Sequence, residues 1–176
     1  MKKNWYAIYT RVNCELKVSA QLSRKKIENF CPVNNITSNT GFKRKWNVIP
    51  LFQSLLFVHV TELEMEVVKG TSDVLNFLYW LGAPAVISTA EIESIERFTN
   101  DYSGLKLERI RVNPLEDIQV ISSSHKEMDL NKTTVNYTMV KMMLPSLGYA
   151  ITANVKSSTS NVFDFVAANN QSNLVS

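Results

Sequence analysis

Strand-like alternation and helix-like spacing take turns along this chain. Residues 4–10 (NWYAIYT) are aromatic and β-branched and predict a first strand. Asn13 then stands as the N-cap of a predicted helix that runs to about Ile27. Its apolar stripe is Leu16, Ala20 and Ile27 with Ser23 in line, and Lys17, Gln21, Arg24 and Lys25 share an outer, basic face. Residues 29–33 (NFCPV) predict a second strand near a sheet edge, because Pro32 cannot donate a ladder bond. Residues 34–41, rich in Asn, Ser and Thr, read as a loop or hairpin tip, and 41–46 (GFKRKW) as a basic hairpin candidate. The run 49–60 (IPLFQSLLFVHV) predicts a strand carrying Phe52 and Phe57.

Further on, 62–70 (ELEMEVVKG) predicts a short helix closed by Gly70. Residues 74–81 (VLNFLYWL) predict another aromatic strand, broken by Gly82-Ala83-Pro84. Ser88 with Glu91 three residues on forms a capping box, opening a helix with Ile92, Ile95 and Phe98 on one face. The order is β-α-β-β-α-β-α with an extra hairpin before the third strand. It predicts an α+β domain of ferredoxin-like kind, a mixed sheet with helices on one face. Two aromatic strands give more apolar surface than one face of such a sheet needs. The surplus points to a docking surface for a macromolecule.

Residues 101–113 (DYSGLKLERIRVN) are a charged connector. Beyond it only short strands are predicted, at 117–121, 134–144 and 149–155, with a turn at 145–148. That content fits a small SH3-like β-barrel. From Lys156 the chain is Ser/Asn-rich with one apolar island at 162–166, and partial disorder is expected. The predicted organisation is a domain at 1–102, a linker at 103–113, a small barrel at 114–157 and a tail at 158–176.

The net charge of +3 is bland, but its distribution is not. Residues 1–45 hold ten Lys/Arg against Glu15 and Glu28, whereas 46–101 hold Lys69 and Arg97 against eight acids. A basic side can face phosphates, and an acidic side will repel them. Cys14 and Cys31 are far apart and form no CxxC, which fits a reducing cytoplasm and no metal site. No run of 18 apolar residues predicts a membrane span. His59 and His125 are the two imidazoles, and neither is spaced with a Cys, Ser or acid as a triad. The glycines at 41, 70, 82, 104 and 148 make no phosphate loop. An enzyme reading would have to lean on Arg11 or His59 alone, so no enzyme and no cofactor are expected.

WYAIYTR, the basic first helix, KIENFCPV, the PLF-x-x-L-x-FV run, and VLNFLYWLG-x-PAVI followed by EIESIE together resemble the N-terminal (NGN) domain of NusG-type transcription elongation factors. The resemblance covers 4–102 in order and spacing. RKKIENFCP, FLYWLGAPAVI and LPSLGY are most similar to the UpxY-type antitermination paralogues of Bacteroidetes, which act on capsular polysaccharide operons. The resemblance implies a cytoplasmic regulator, one per polymerase and so monomeric. It would bind the clamp helices of the RNA polymerase β′ subunit through an apolar depression and reach the opposite lobe through 62–69. By position that depression would be lined by Tyr9, Phe52, Leu55, Phe57, Phe77 and Trp80, with Phe52 expected at the surface. Lys17, Arg24, Lys25, Lys43, Arg44 and Lys45 would face DNA of the transcription bubble, with Trp46 able to stack on an unpaired base. A KOW-type barrel would follow, with contacts to termination factor Rho or the ribosome.

The chain departs from the pattern in two places. Gln53-Ser54 stand where the family has Pro and Gly or Asn, and Leu55 where it often has Tyr, which predicts a less rigid turn. Ser122 to Glu127 stand where the barrel's glycine-bearing turn belongs, which predicts a degenerate barrel. The alternative is a nucleic-acid- or ribosome-binding module on the same fold. It would put exposed aromatics among basic residues, whereas Phe52, Phe77 and Trp80 lie in the acidic half.

Overall fold

A computed structural model describes residues 2–40, 43–110, 120–128 and 134–156. The expected tail at 158–176, Gly41 at the hairpin tip and the start of the strand expected at 117–121 lie outside them. Contacts divide the chain into two compact units, Met1–Thr99 and Asn100–Ser176.

The first unit runs β1 (Asn4–Thr10), α1 (Glu15–Arg24), β2 (Glu28–Phe30), β3 (Val33–Thr40), β4 (Lys43–Pro50), β5 (Leu55–Val60) and α2 (Glu62–Lys69). It continues with β6 (Val74–Phe77), β7 (Tyr79–Trp80), β8 (Ala83–Pro84), β9 (Val86–Ile87) and α3 (Thr89–Asp101). The main sheet is ordered β2-β5-β1-β6, with β9 also on β1. Its pairings are all antiparallel, not mixed. Alternation along β1 and β5 sorts the side chains. Tyr6, Ile8, Leu56, Val58 and Val60 join Val18 and Leu22 of α1, Ile27, and Met65 and Val68 of α2 in one cluster. Trp5, Ala7, Leu55 and Phe57 alternate with them and are buried too, so both sheet faces are covered rather than one. α3 buries the expected stripe Ile92, Ile95 and Phe98.

Several boundaries differ from the sequence pattern, each for a local reason. Asn13 takes a left-handed φ of +61°, so it sits in the turn and Cys14 becomes the N-cap. The later start rotates the helix: Val18 and Leu22 face the core, while Leu16 and Ala20 are exposed. The expected loop at 34–41 is strand, because β3 pairs with β4 over eight residues from Val33↔Pro50 to Thr40↔Lys43. Among the described residues this ribbon is joined to no other sheet. The run 49–60 is broken between Pro50 and Leu55 by a turn, and 74–81 is broken at Leu78. α2 begins with a capping box that the pattern missed. Glu64 N–H donates to Thr61 Oγ1 and Thr61 N–H donates to Glu64 Oε2, at 3.4 and 2.8 Å. At α3, Ser88 Oγ accepts the Glu91 N–H at 3.1 Å as expected.

The second unit carries β10 (Lys106–Arg109), β11 (Val120–Met128), β12 (Thr134–Leu144) and β13 (Tyr149–Lys156) in an antiparallel sheet ordered β10-β13-β12-β11. β10 falls inside the expected linker, where Leu107 pairs with Ile151. Val140, Met142 and Leu144 are fully buried with Ala150 and Ile151. β11 runs straight through Ser122 to Glu127, so no turn lies there. Gly148, at φ +68°, turns the chain into β13, and its carbonyl accepts the Ile110 N–H at 3.0 Å.

Candidate macromolecular docking surface

The expected apolar contact residues separate into two groups. Leu55, Phe52, Phe57 and Phe77 are buried, Phe52 and Phe77 at 1 % exposure. Phe57 is the hub of one aromatic cluster, with Phe52 edge-on at 5.6 Å and Phe30 stacked at 6.2 Å. Phe77 belongs to the other face. It lies opposite Ile8 across β1–β6 and meets Tyr6 edge-on at 6.0 Å. Phe57 lies opposite Ala7, one residue out of phase, so Phe57 and Phe77 do not line one depression. These four hold the sheet, and the expectation of Phe52 at the surface is corrected. Tyr9 and Trp80 are exposed, at 41 % and 56 %.

Trp80 lies on a small hairpin that leaves the sheet edge and returns to it. β6 and β9 both pair with β1, at opposite ends of its edge. Between them Leu78 N–H donates to the Ala7 carbonyl and Ala85 N–H to the Leu78 carbonyl, both at 2.8 Å, closing the base of the excursion. β7 and β8 pair as Tyr79↔Pro84 and Trp80↔Ala83. The two-residue turn Leu81-Gly82 has φ +48° and +83°, the pattern that two-residue hairpins need. Tyr79 and Val86 are also exposed, and Leu81 is 91 % exposed. No charged residue occurs between Asp73 and Glu91. Tyr79 and Leu81 were not among the expected contact residues. The signal was available: a charge-free stretch with a Leu-Gly turn, where Leu has no packing reason to be.

The turn at 51–54, expected to be less rigid than the family pattern, is hydrogen-bonded at both ends. Leu51 N–H donates to the Pro32 carbonyl at 2.8 Å, and the Ser54 carbonyl accepts the Thr10 N–H at 2.9 Å. Ser54, at φ +59°, donates its own N–H to Glu15 Oε1 at 2.6 Å.

The expected nucleic-acid contacts also divide. Lys17 Nζ donates to Asp73 Oδ2 at 2.7 Å, and Arg11 Nε lies 3.9 Å from Asp73 Oδ1. The hydrogen bond to Asp73 raises the Lys17 ammonium above its usual range, and reciprocally Lys17 lowers the Asp73 carboxyl. Lys25 Nζ donates to Thr71 Oγ1 at 2.8 Å. Both lysines thus reach from α1 to the α2–β6 connection while remaining, like Arg24, exposed. Lys43, Arg44 and Lys45 stand at the turn end of the ribbon opposite Thr40, Asn39 and Ser38, followed by Trp46 opposite Thr37.

Other reactive groups have structural partners. His59 Nδ1 lies 2.8 Å from Glu28 Oε2, and its ring stacks on Trp5 at 4.9 Å. Burial pushes the Cys31 thiol up to about 11, with the Glu15 carboxylate adding to it. Among the described residues no group of His, Cys, Asp and Glu could hold a metal, and no helix is long and apolar enough to cross a membrane.

Residues 3–96 match the family described as "Transcription termination factor nusG". A solved structure titled "Domain interaction in Thermotoga maritima NusG" aligns with 88 % of this chain and 94 % of its own, at 18 % identity and a TM-score of 0.49. No curated protein matches the chain.

Proposed function

The chain belongs to the NusG family, non-enzymatic transcription factors that bind RNA polymerase, and from that premise we propose that it docks on polymerase through its exposed β7–β8 hairpin. The observation that carries this reading is the hairpin itself: Tyr79, Trp80 and Leu81 stand in water on a stretch without charge. Exposed aromatic anchors of this kind dominate interface energetics when a partner covers them. Tyr9 adds an exposed ring at the far end of β1. The partner surface is the clamp helices of the β′ subunit, with 62–69 toward the opposite lobe. Phe52, Leu55, Phe57 and Phe77 act from beneath, by holding the sheet that presents the exposed groups.

DNA of the transcription bubble is met by Lys43, Arg44, Lys45 and Trp46 on the ribbon, with Arg24 on α1. Lys17 and Lys25 contribute to that field while holding their own loop. The outcome is processive elongation through antitermination, in the manner of the UpxY-type regulators of capsular polysaccharide operons. The wording of RKKIENFCP, FLYWLGAPAVI and LPSLGY supports that assignment. The second unit supplies a contact to Rho or the ribosome.

Binding of the full chain to a β′ clamp-helix fragment tests the docking, wild type beside Trp80→Asp. Micromolar binding that the substitution abolishes, with the melting temperature unchanged, is expected. Equal binding by both proteins would remove the hairpin from the interface. Replacing Lys43, Arg44 and Lys45 by Ala should weaken the effect on pausing and flatten its salt dependence, leaving fragment binding intact. Nucleic-acid binding without any fragment binding would favour the module that has no polymerase role.

A further inference from the structure

We infer that Glu15 is a positioning residue for this docking surface, holding the turn at 51–54 in shape with its carboxylate. The inference rests on the docking reading above. Glu15 lies in the first turn of α1, yet only 2 % of it is exposed. A carboxylate is not left buried without a donor, because dehydrating the charge is costly. Its donor is the Ser54 N–H, at 2.6 Å. A hydrogen bond to an ionised acceptor is among the stronger kinds.

Ser54 needs that hold. Its φ of +59° is left-handed, which glycine adopts freely and an L-residue with a Cβ resists. The chain has no glycine between Gly41 and Gly70, so the turn is kept by a side chain from another element. The same Ser54 accepts the Thr10 N–H through its carbonyl. Its two backbone groups thus join α1 to the end of β1. Thr10 follows exposed Tyr9, and Leu55, which follows Ser54, pairs with Tyr9 across β1–β5. Glu15 therefore fixes the strand end from which Tyr9 projects, without touching a partner itself. Phe52, buried two residues before Ser54, is seated by the same turn.

Full-length Glu15→Ala, Glu15→Gln and the double variant Glu15→Ala/Ser54→Gly test this by two readouts. One is amide hydrogen exchange at position 54, and the other is affinity for the clamp-helix fragment. Glu15→Gln, whose amide oxygen still accepts but without the charge, should fall between wild type and Glu15→Ala in both. Glu15→Ala should speed exchange at 54 and weaken binding by about tenfold, the scale of one lost charge-assisted hydrogen bond. Adding Ser54→Gly should restore binding while exchange stays fast, because glycine reaches the left-handed region unaided. If Glu15→Ala alone does not fold, recovery of folding and binding in the double variant supports the inference. Failure of the double variant to recover overturns it, as does unchanged exchange at 54 in Glu15→Ala. Absence of fragment binding by the wild type is a separate failure. It overturns the docking reading, and the exchange data alone then decide whether the pin exists.

Discussion

With Phe52 expected at the surface, Phe52→Asp would abolish docking without unfolding the protein; the structure predicts instead that it unfolds the first unit. Phe52 is 1 % exposed and meets Phe57 edge-on at 5.6 Å. Truncating a buried Phe costs about 3–5 kcal/mol. The lost edge-on pair is worth about 0.5–1.5 kcal/mol beyond area. A carboxylate left in its place without a partner adds several kcal/mol more. The sum rivals the ~5–15 kcal/mol that holds a whole domain. Trp80→Asp, at an exposed position, should instead stay within about 0.5 kcal/mol. Thermal unfolding of full-length variants, followed by circular dichroism and by amide exchange in β1 and β5, separates the two. A difference of 1 kcal/mol moves the midpoint of a unit this size by about 4–8 °C, so the contrast is large. A folded Phe52→Asp variant with a wild-type midpoint would refute the buried placement and return Phe52 to the candidate interface.

Two further outcomes can be checked. Thr61→Ala removes the hydroxyl that caps α2 but leaves the Thr61 N–H that donates to Glu64 Oε2, and should cost about 1 kcal/mol by denaturant unfolding without altering fragment binding. Cys31, raised from 9.0 to about 11, should resist alkylation at pH 8 while the protein is folded. The sign for stability follows. The folded thiol loses its proton later than the unfolded one, so its contribution is intact below pH 9 and is lost as the pH climbs towards 11. Rapid labelling of folded Cys31 at pH 8 would contradict its burial.

Much of the first unit was legible because its elements announce themselves locally. The aromatic and β-branched run at 4–10, Gly70 after α2, and the Ser88–Glu91 spacing each carry their own mechanism. The errors arose where one residue's backbone changed the meaning of its neighbours. Asn13 resembles an N-cap, but at φ +61° it turns the chain first, and Leu16 rotates to solvent. Asn34 to Thr40 look like loop until β4 supplies partners for every one of them. In the candidate site, residue type alone could not sort anchors from core. Phe57 and Trp80 are both aromatic strand residues, and register against β1 decides which is hidden. Glu15 was invisible as a turn holder, since nothing in the sequence brings it to a residue 39 positions away.

The hairpin between β6 and β9 also divides the border of the sheet. An unbroken border is a template on which a foreign strand can add itself, and chains that offer one risk growing into aggregates. Here the outer border is a four-residue piece and a two-residue piece with a loop of backbone standing between them. An invading strand would find no run long enough to zip along. The loop is closed at its base by the Ala85–Leu78 hydrogen bond, so its length and tip can drift in evolution without shifting the register beneath. One excursion of the chain thus blunts this border of the main sheet while leaving its choice of partner free to change.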